Sequence, residues 1–161
     1  MASGLIGLMT AQPWPLSAAL LERILEDRLS DRFVATLVWE RLGYQPRSPG
    51  EPWCAGPETP EPWRLAYPQA PEVIATRPAS VQLTRSVPPE HKQLLKQQLG
   101  FQGYRIGALY PRRTRRATAV NWLLAWLAGR GDPLPEQGPV PELLPAPEDP
   151  VRGHPGDPPV S

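Results

Sequence analysis

The sequence predicts a small α+β protein with one compact domain at residues 16–129, a flexible segment at 1–15 and a disordered tail at 130–161. The length of 161 residues gives room for a single domain of ordinary size. Within that domain, apolar residues recur at helical spacing in some stretches and at alternate positions in others. Proline supplies 24 of the 161 residues, about three times its usual share of roughly 5%, so much of the chain must be irregular.

The first predicted element is a hairpin of two helices within residues 17–43. Ser17 is placed to cap the first helix, and Ser30 or Asp31 opens the second. Gly43 supplies a left-handed stop. Each helix has an apolar stripe at the spacing that covers one helical face. The stripes are Leu20, Leu21, Ile24, Leu25 and Leu29, then Phe33, Val34, Leu37, Val38 and Leu42.

Residues 44–78 form a proline-rich connection without a sustained period. A structureless loop of that length is unusual in a compact domain, so we expect short helical turns near 62–67 and 71–75. Aromatic side chains are predicted to pin the connection to the core. These anchors are Trp53, Trp63 and Tyr67.

Residues 80–129 predict the order strand, helix, strand, helix, which supplies a short β-sheet. Alternating apolar and polar residues at 80–86 indicate a half-buried strand. Pro88 and Pro89 then suit the first turn of a helix that Gly100 ends.

The second strand and the last helix complete this block. Alternation at residues 104–108 indicates the strand. The helix is expected to be capped by Thr114 or Thr118 and to end at Gly129.

The tail at residues 130–161 contains 10 prolines, 6 acidic and 2 basic side chains. With few large apolar residues, such a segment buries too little surface to offset the entropy of ordering it. The sequence therefore predicts that the tail is disordered.

Positive charge is concentrated in residues 80–129, which hold 8 basic side chains and one acidic residue, Glu90. Four arginines lie at the start of the last predicted helix, where the helix dipole favours an anion over a cation by roughly 0.3–1 kcal/mol. Further cations and aromatic residues extend this candidate partner-binding surface. Its members are Arg112, Arg113, Arg115 and Arg116, with Arg105, Lys92, Lys96, Tyr104, Tyr110, Trp122 and Trp126.

Several sources could supply the compensating negative charge. One is an acidic or phosphate-bearing partner, because guanidinium groups and helix amides bind anions. A second is the acidic tail, folded back over the arginines. A third is the hairpin itself, with Glu22, Glu26, Asp27, Asp31 and Glu40. Nucleic acid is the last of the alternatives, because only Tyr104 and Tyr110 are placed to stack on bases.

The two tryptophans of the last helix allow two interpretations. Trp122 and Trp126 are one helical turn apart, on a flank of the apolar stripe. They are either part of the core, as helical aromatic residues usually are, or exposed anchors for a partner.

Residue types that carry catalysis or bind metals are sparse. Cys54 is the single cysteine, and neither His91 nor His154 has a second ligand at metal-binding spacing. We therefore predict no enzyme activity, no metal and no cofactor. No basic residue precedes the short apolar patch at 5–9, and no apolar run is long enough to span a bilayer, so we expect a cytoplasmic protein.

Three stretches carry a resemblance to a known family: TRPASVQLTRSVPPEHKQLLKQQLGF, GYRIGALYPRRTRRATAVNWLLAWL and LEDRLSDRFVATLVWERLGY. They resemble an uncharacterised domain family of cyanobacteria over roughly residues 15–128, and the tail lies outside it. The resemblance implies an origin in an oxygenic phototroph and a role near the photosynthetic or carbon-fixing machinery, such as the carboxysome. It implies no reaction.

Together these features predict a non-catalytic protein-interaction module, an assembly factor, chaperone or regulator that binds an acidic or extended segment of its partner through the basic patch. The alternative is a nucleic-acid-binding regulator that uses the same arginines against phosphates.

Overall fold

The structure is a computed structural model and describes residues 12–161. Most of the flexible segment predicted for 1–15 lies outside the described residues. The described residues form six α-helices and one antiparallel sheet of two short strands, which agrees with a small α+β domain. The elements are α1 (Ala18–Leu25), α2 (Asp31–Leu42), β1 (Gln45–Pro46), β2 (Trp53–Cys54), α3 (Glu61–Ala66), α4 (Arg77–Ser86), α5 (Leu94–Leu99) and α6 (Pro111–Arg130).

The predicted helical hairpin is confirmed, with its caps. The Ser17 hydroxyl accepts a hydrogen bond from the Leu20 amide at 3.1 Å. The Ser30 hydroxyl accepts one from the Phe33 amide at 3.1 Å. Gly43 ends α2 with φ 83°, a left-handed conformation that glycine adopts without steric cost. Both helices begin, and α2 ends, where the sequence signals place them, whereas α1 ends at Leu25, before the last residue of its predicted stripe, Leu29.

The longest helix, α6, packs against α1, α2, α4 and α5 and forms the centre of the domain. Its inward face is apolar along most of its length. The fully buried apolar residues on it are Ala119, Val120, Leu123 and Leu124.

The ends of α6 differ from the prediction. The helix begins at Pro111, which occupies its first turn, so Thr114 and Thr118 are internal residues rather than caps. It continues through Gly129, and Gly131 ends it with φ 71°. Proline was the stronger start signal because its missing amide costs nothing in a first turn.

Both strands predicted within residues 80–129 are wrong. The first is the helix α4, with Ala79 and Leu83 on its buried face and Pro78 in its first turn. The second predicted strand, 104–108, is an irregular segment with a short 3₁₀ turn, in which Ile106 is 95% exposed. The sheet lies elsewhere, in the connection, where Gln45 pairs with Cys54 and Pro46 with Trp53.

The helix predicted after Pro88 is present in two pieces. A 3₁₀ turn at Pro89–His91 precedes α5, and Gly100 ends α5 with φ 65°, as predicted.

The long connection is ordered by a few aromatic side chains. The helix α3 covers most of the first predicted helical turn, and residues 73–75 form a turn at the second. Trp63 is 3% exposed. The Tyr44 hydroxyl lies 3.2 Å from the Trp63 carbonyl oxygen and 2.8 Å from that of Tyr67. The Trp39 indole donates to the Pro71 carbonyl at 2.6 Å.

The tail has no helix or strand from residue 132 onward, yet it follows a defined path across the helical hairpin. The sequence predicted disorder because this composition cannot build a core of its own. In the structure the tail contacts a core that the domain has already formed, so it needs to bury little further surface.

Candidate functional site

Arg112 is the centre of a buried ionic cluster at the start of α6. Its side chain is 0% exposed, and all five of its N–H donors are used. Nε and Nη2 donate to Asp31 at 2.8 and 2.7 Å, while Nη1 and Nη2 donate to Asp27 at 3.1 and 3.0 Å. Nη1 also donates to the carbonyl oxygen of Pro150 at 2.9 Å. The guanidinium group thus holds two carboxylates at once.

Two further arginines of α6 join these carboxylates. Arg116 donates from Nη1 to Asp31 at 2.8 Å, and from Nε and Nη2 to the Ile24 carbonyl at 3.2 and 2.9 Å. Because Ile24 lies in the last turn of α1, this cation also suits the negative end of that helix. Arg113 donates from Nε to Asp27 at 3.2 Å. We call Asp27, Asp31, Arg112, Arg113 and Arg116 the arginine cluster.

The turn between α1 and α2 delivers both aspartates. Asp27 adopts a left-handed backbone with φ 61°, which aspartate tolerates better than most residues. Asp31 is the first residue of α2, where a negative charge is favourable. Burial alone would raise the pKa of the Asp27 carboxyl, but the hydrogen bond from Arg112 and the charge of Arg116 outweigh burial and lower it. Both carboxylates are 1% exposed.

The arginines predicted as a partner-binding surface therefore belong largely to the interior. Arg112 and Arg116 are 0% exposed. Arg113 is bound to Asp27, and Arg115 donates to the carbonyl oxygens of Ile74 and Ala75. Of the proposed compensating charges, the hairpin supplies Asp27 and Asp31. The physical reason is that three guanidinium groups at a positive helix end are stable there only with carboxylates beside them.

Arg105 remains outside the cluster. It is exposed, and the next residue, Ile106, is the most exposed large apolar side chain among those described.

The tyrosines are engaged within the domain. The Tyr104 hydroxyl donates to the Leu25 carbonyl at 2.7 Å, and burial raises its pKa to about 12. The ring of Tyr110 lies under the guanidinium group of Arg113, 5.3 Å from its centre. Both residues are half-buried, so their rings are only partly accessible to a base.

The two tryptophans of α6 have different surroundings. Trp122 is 8% exposed and donates from Nε1 to the Ser86 hydroxyl at 3.0 Å, so it belongs to the core. Trp126 is half-buried between two guanidinium groups, with Arg41 5.3 Å and Arg130 4.5 Å from its ring centre. Stacking of this kind holds Trp126 in place.

The remaining predicted cations, Lys92 and Lys96, line a groove of about 490 Å³ between α4, α5 and α6. Lys92 donates to the Thr84 carbonyl at 2.6 Å, whereas none of the ion pairs in residues 12–161 includes either lysine. Asn121 links α6 to α5 and to the 3₁₀ turn before it. Its Oδ1 accepts from the Leu95 amide and its Nδ2 donates to the His91 carbonyl oxygen, both at 3.1 Å. The apolar lining residues are Val87, Leu95, Phe101 and Ala117, and the polar ones include Thr84, Gln93, Gln102, Thr114, Thr118 and Asn121.

The residues weighed for catalysis or metal binding lie in separate elements. Cys54 is a half-exposed thiol in β2, and His91 ends a 3₁₀ turn before α5. His154 is buried in the tail. Across residues 12–161, no three histidine, cysteine or acidic side chains are grouped so as to hold a metal ion.

Sequence reasoning offered the acidic tail as one source of negative charge for the arginines, but it missed the Pro150 carbonyl that Arg112 contacts and the position of the lysine groove. One signal was visible for the cluster: Arg112 and Arg116 continue the inward stripe of Ala119, Val120 and Leu123 toward the start of α6. Cations on the buried face of a helix require buried partners.

Comparison with known proteins places residues 15–128 in a described family. The model of a family described as “Domain of unknown function (DUF1823)” matches these residues. A solved chain described as a solution NMR structure is 46% identical and has a TM-score of 0.64, covering 75% of this chain and 100% of its own length. No curated protein matches this chain. None of the helices in the described residues is both long and apolar enough to cross a bilayer.

Proposed function

This chain belongs to the family of the domain of unknown function DUF1823, and on the geometry of its surface we propose that it is a non-catalytic interaction module. It binds an acidic, extended segment of a partner protein in the lysine groove. The family resemblance drawn from the sequence is confirmed, whereas the cyanobacterial origin stays a prediction.

The observation that carries the proposal is the charge of the groove. The arginine cluster accounts for three basic side chains of residues 80–129, and the other five are left with Glu90 as the single acidic residue in that stretch. Lys92 and Lys96 border the groove without a carboxylate partner in the ion pairs of residues 12–161. Charge of one sign beside an apolar lining favours a ligand with acidic and apolar residues.

The biological setting of the proposal comes from the resemblance. An interaction module of a cyanobacterial family would act in the cytoplasm as an assembly or regulatory factor, or a chaperone, for a photosynthetic or carbon-fixing complex such as the carboxysome. In this role the lysine groove would hold an exposed segment of the client protein until the client is assembled.

Nucleic acid is the second candidate, and charge is its support. Phosphates would be attracted to the same lysines, and such binding weakens steeply with salt through counterion release. The engaged rings of Tyr104 and Tyr110 do not favour it, since single-strand binding draws much of its energy from stacking on exposed aromatic residues.

Reversal of both groove lysines, Lys92→Glu with Lys96→Glu, is expected to weaken binding of an acidic peptide by about tenfold or more. The probe is a labelled synthetic peptide of glutamate and leucine, titrated by fluorescence anisotropy. A peptide with glutamine in place of glutamate, and single-stranded RNA and DNA, are titrated in parallel.

The control variant carries the same change in net charge away from the groove, Arg47→Glu with Arg64→Glu, and should bind as the parent does. Equal affinity of the parent and the groove variant for the acidic peptide would contradict the proposal. Tighter binding of RNA or DNA than of the peptide would favour the second candidate.

A further inference from the structure

The tail crosses the helical hairpin as an extended chain that accepts hydrogen bonds from it. Five carbonyl oxygens of the tail accept from N–H groups of the domain, and three of them belong to proline. Proline lacks an N–H group, so a proline-rich segment is poor in donors and rich in carbonyl acceptors. The five accepting residues are Pro135, Glu136, Pro139, Leu144 and Pro150.

The hairpin surface offers the complementary set of donors. The amides of Ala18 and Ala19, in the first turn of α1, reach tail carbonyls at 2.8 and 3.1 Å. These amides have no partner within the helix. The Trp14 indole and the Arg28 guanidinium group donate at 3.0 and 2.9 Å. The Leu144 amide donates to the Arg28 carbonyl at 2.9 Å, so Arg28 and Leu144 are joined by one hydrogen bond in each direction.

The end of the tail packs against the arginine cluster, where the Pro150 carbonyl accepts from Arg112. The Asp157 carboxylate accepts from the Asp31 amide at the start of α2 at 3.1 Å and from the His154 amide at 2.9 Å. Its side chain is 2% exposed. None of the ion pairs of residues 12–161 joins Asp157 to an arginine, so this carboxylate fastens the tail to the start of α2 through main-chain amides.

His154 enters the same site from the tail. Its Nε2 lies 2.9 Å from the Asp27 carbonyl oxygen, while its buried Nδ1 has no hydrogen-bond partner. The nearest carboxylate oxygen of Asp157 is 3.6 Å from Nδ1. The ring is 2% exposed, so the turn around it is inserted into the domain rather than lying on its surface.

Gly153 shows how closely this turn fits. Its φ is 95°, and a Cβ built on it would lie 2.7 Å from Nε of Arg112 and 2.9 Å from Oδ2 of Asp157. Gly156 in the same turn also has a positive φ, of 86°, but a Cβ there would meet no atom within 4 Å. A side chain is therefore excluded by the cluster at one glycine and only by backbone conformation at the other.

The tail is an addition to the domain that carries this surface. The family match ends at residue 128, and the solved relative covers 75% of this chain with its entire length. Except for Trp14, which lies one residue before the match, the donors thus belong to the matched domain, whereas the acceptors belong to this chain's tail.

We infer that the hairpin and the arginine cluster form a binding site for an extended, proline-rich, acidic segment, and that this chain fills the site with its own tail. A partner that supplies such a segment must displace the tail. Because a tethered segment acts at an effective concentration on the order of millimolar, the tail excludes weaker ligands. This site is separate from the lysine groove, and its failure leaves the groove proposal intact.

The test uses the full chain with Gly153→Ala, and Gly156→Ala as the matched control. The probe is a labelled synthetic peptide with the sequence of residues 132–161. We expect the peptide to bind the Gly153→Ala chain at least about tenfold more tightly than it binds the parent or the control, because the site has been vacated. Without the peptide, the Gly153→Ala chain should lose the parent NMR shifts of the Ala18 and Asp31 amides, and the bound peptide should restore them.

Equal binding of the peptide to the Gly153→Ala and Gly156→Ala chains would overturn the inference, whether or not the NMR shifts change. A second measurement does not depend on whether the Gly153→Ala chain folds. A protease site inserted between Gly131 and Asp132, where the chain is exposed, allows the tail to be cut from the folded parent. The cut tail should co-elute with the domain and exchange with the labelled peptide. Its immediate loss from a folded domain, or a dimer formed by exchange of tails, would contradict an intramolecular ligand.

Discussion

Replacement of Asp31 by alanine, Asp31→Ala, is expected to lower the free energy of unfolding by about 3–5 kcal/mol. Arg112 and Arg116 both donate to this carboxylate and are 0% exposed. Without it, the two buried guanidinium groups keep Asp27 as their one carboxylate partner in residues 12–161. Breaking a buried ion pair is costly because the remaining charge is left without water and without its partner. Urea unfolding followed by tryptophan fluorescence measures the loss.

Glu26→Ala is the control, because Glu26 pairs with Arg23 at 3.0 Å on the surface, with its side chain 48% exposed. A surface pair of this kind contributes about 1 kcal/mol or less. Equal losses in the two variants would show that the cluster does not carry the stability assigned to it.

The same cluster makes the fold sensitive to acid. The pKa of the Asp27 carboxyl is lower in the folded chain than its usual 3.8, because the arginines outweigh the effect of burial. A lowered folded-state pKa contributes stability that is present above the unfolded-state value and is lost as the pH falls through the folded one. The free energy of unfolding should therefore fall as the pH drops below 3.8.

Trp63→Ala is expected to lower the free energy of unfolding by about 3–5 kcal/mol, the range for deletion of a buried aromatic side chain. Trp63 is 3% exposed in a connection that has little regular structure of its own. Its ring lies 6.1 Å from that of Tyr67, and its carbonyl oxygen accepts from the Tyr44 hydroxyl. Loss of the indole should loosen residues 53–70, which amide hydrogen exchange would detect as faster exchange there.

Leu65→Ala in the same helix is the matched control, since Leu65 is 73% exposed. Its effect should stay within about 0.5 kcal/mol. If Trp63→Ala were as mild as Leu65→Ala, the connection would be held by its main-chain contacts rather than by its aromatic anchors.

The helical hairpin was predictable because its signals are local. Ser17, Ser30 and Gly43 act on amides and carbonyls within one turn of themselves, so their effect can be read without knowledge of the rest of the fold. The aromatic anchors were predictable for a similar reason. A large apolar side chain in a stretch of prolines has few alternatives to the core.

The two wrong strands show the limit of short patterns. Val81 and Leu83 alternate like a strand, but Ala79, Leu83 and Val87 are equally a helical stripe, and Pro78 is a helix-start signal. In a segment this short, packing against α6 decides whether the chain forms a strand or a helix. At residues 104–108 alternation had no partner strand to pair with, and Ile106 remained in solvent.

The arginine cluster was predictable only as a set of alternatives. The need for negative charge at the start of α6 follows from the helix dipole, and Asp27 and Asp31 were among the proposed partners. Which carboxylates reach Arg112 depends on contacts across 81 and 85 residues of sequence. The ordered path of the tail was harder to predict, because the composition of the tail predicts disorder and its order comes from the surface that it covers.

In the full chain, the arginines at the start of α6 are matched inside the protein by the carboxylates of the hairpin and by the tail. The most direct measurement is ¹⁵N NMR of the guanidinium groups in the full chain at neutral pH. We predict separate, slowly exchanging Nε–H signals for Arg112 and Arg116, with correlations to protons of the 27–31 turn and of residues 150–157. Rapid exchange with water, as in the exposed Arg105, would contradict the claim.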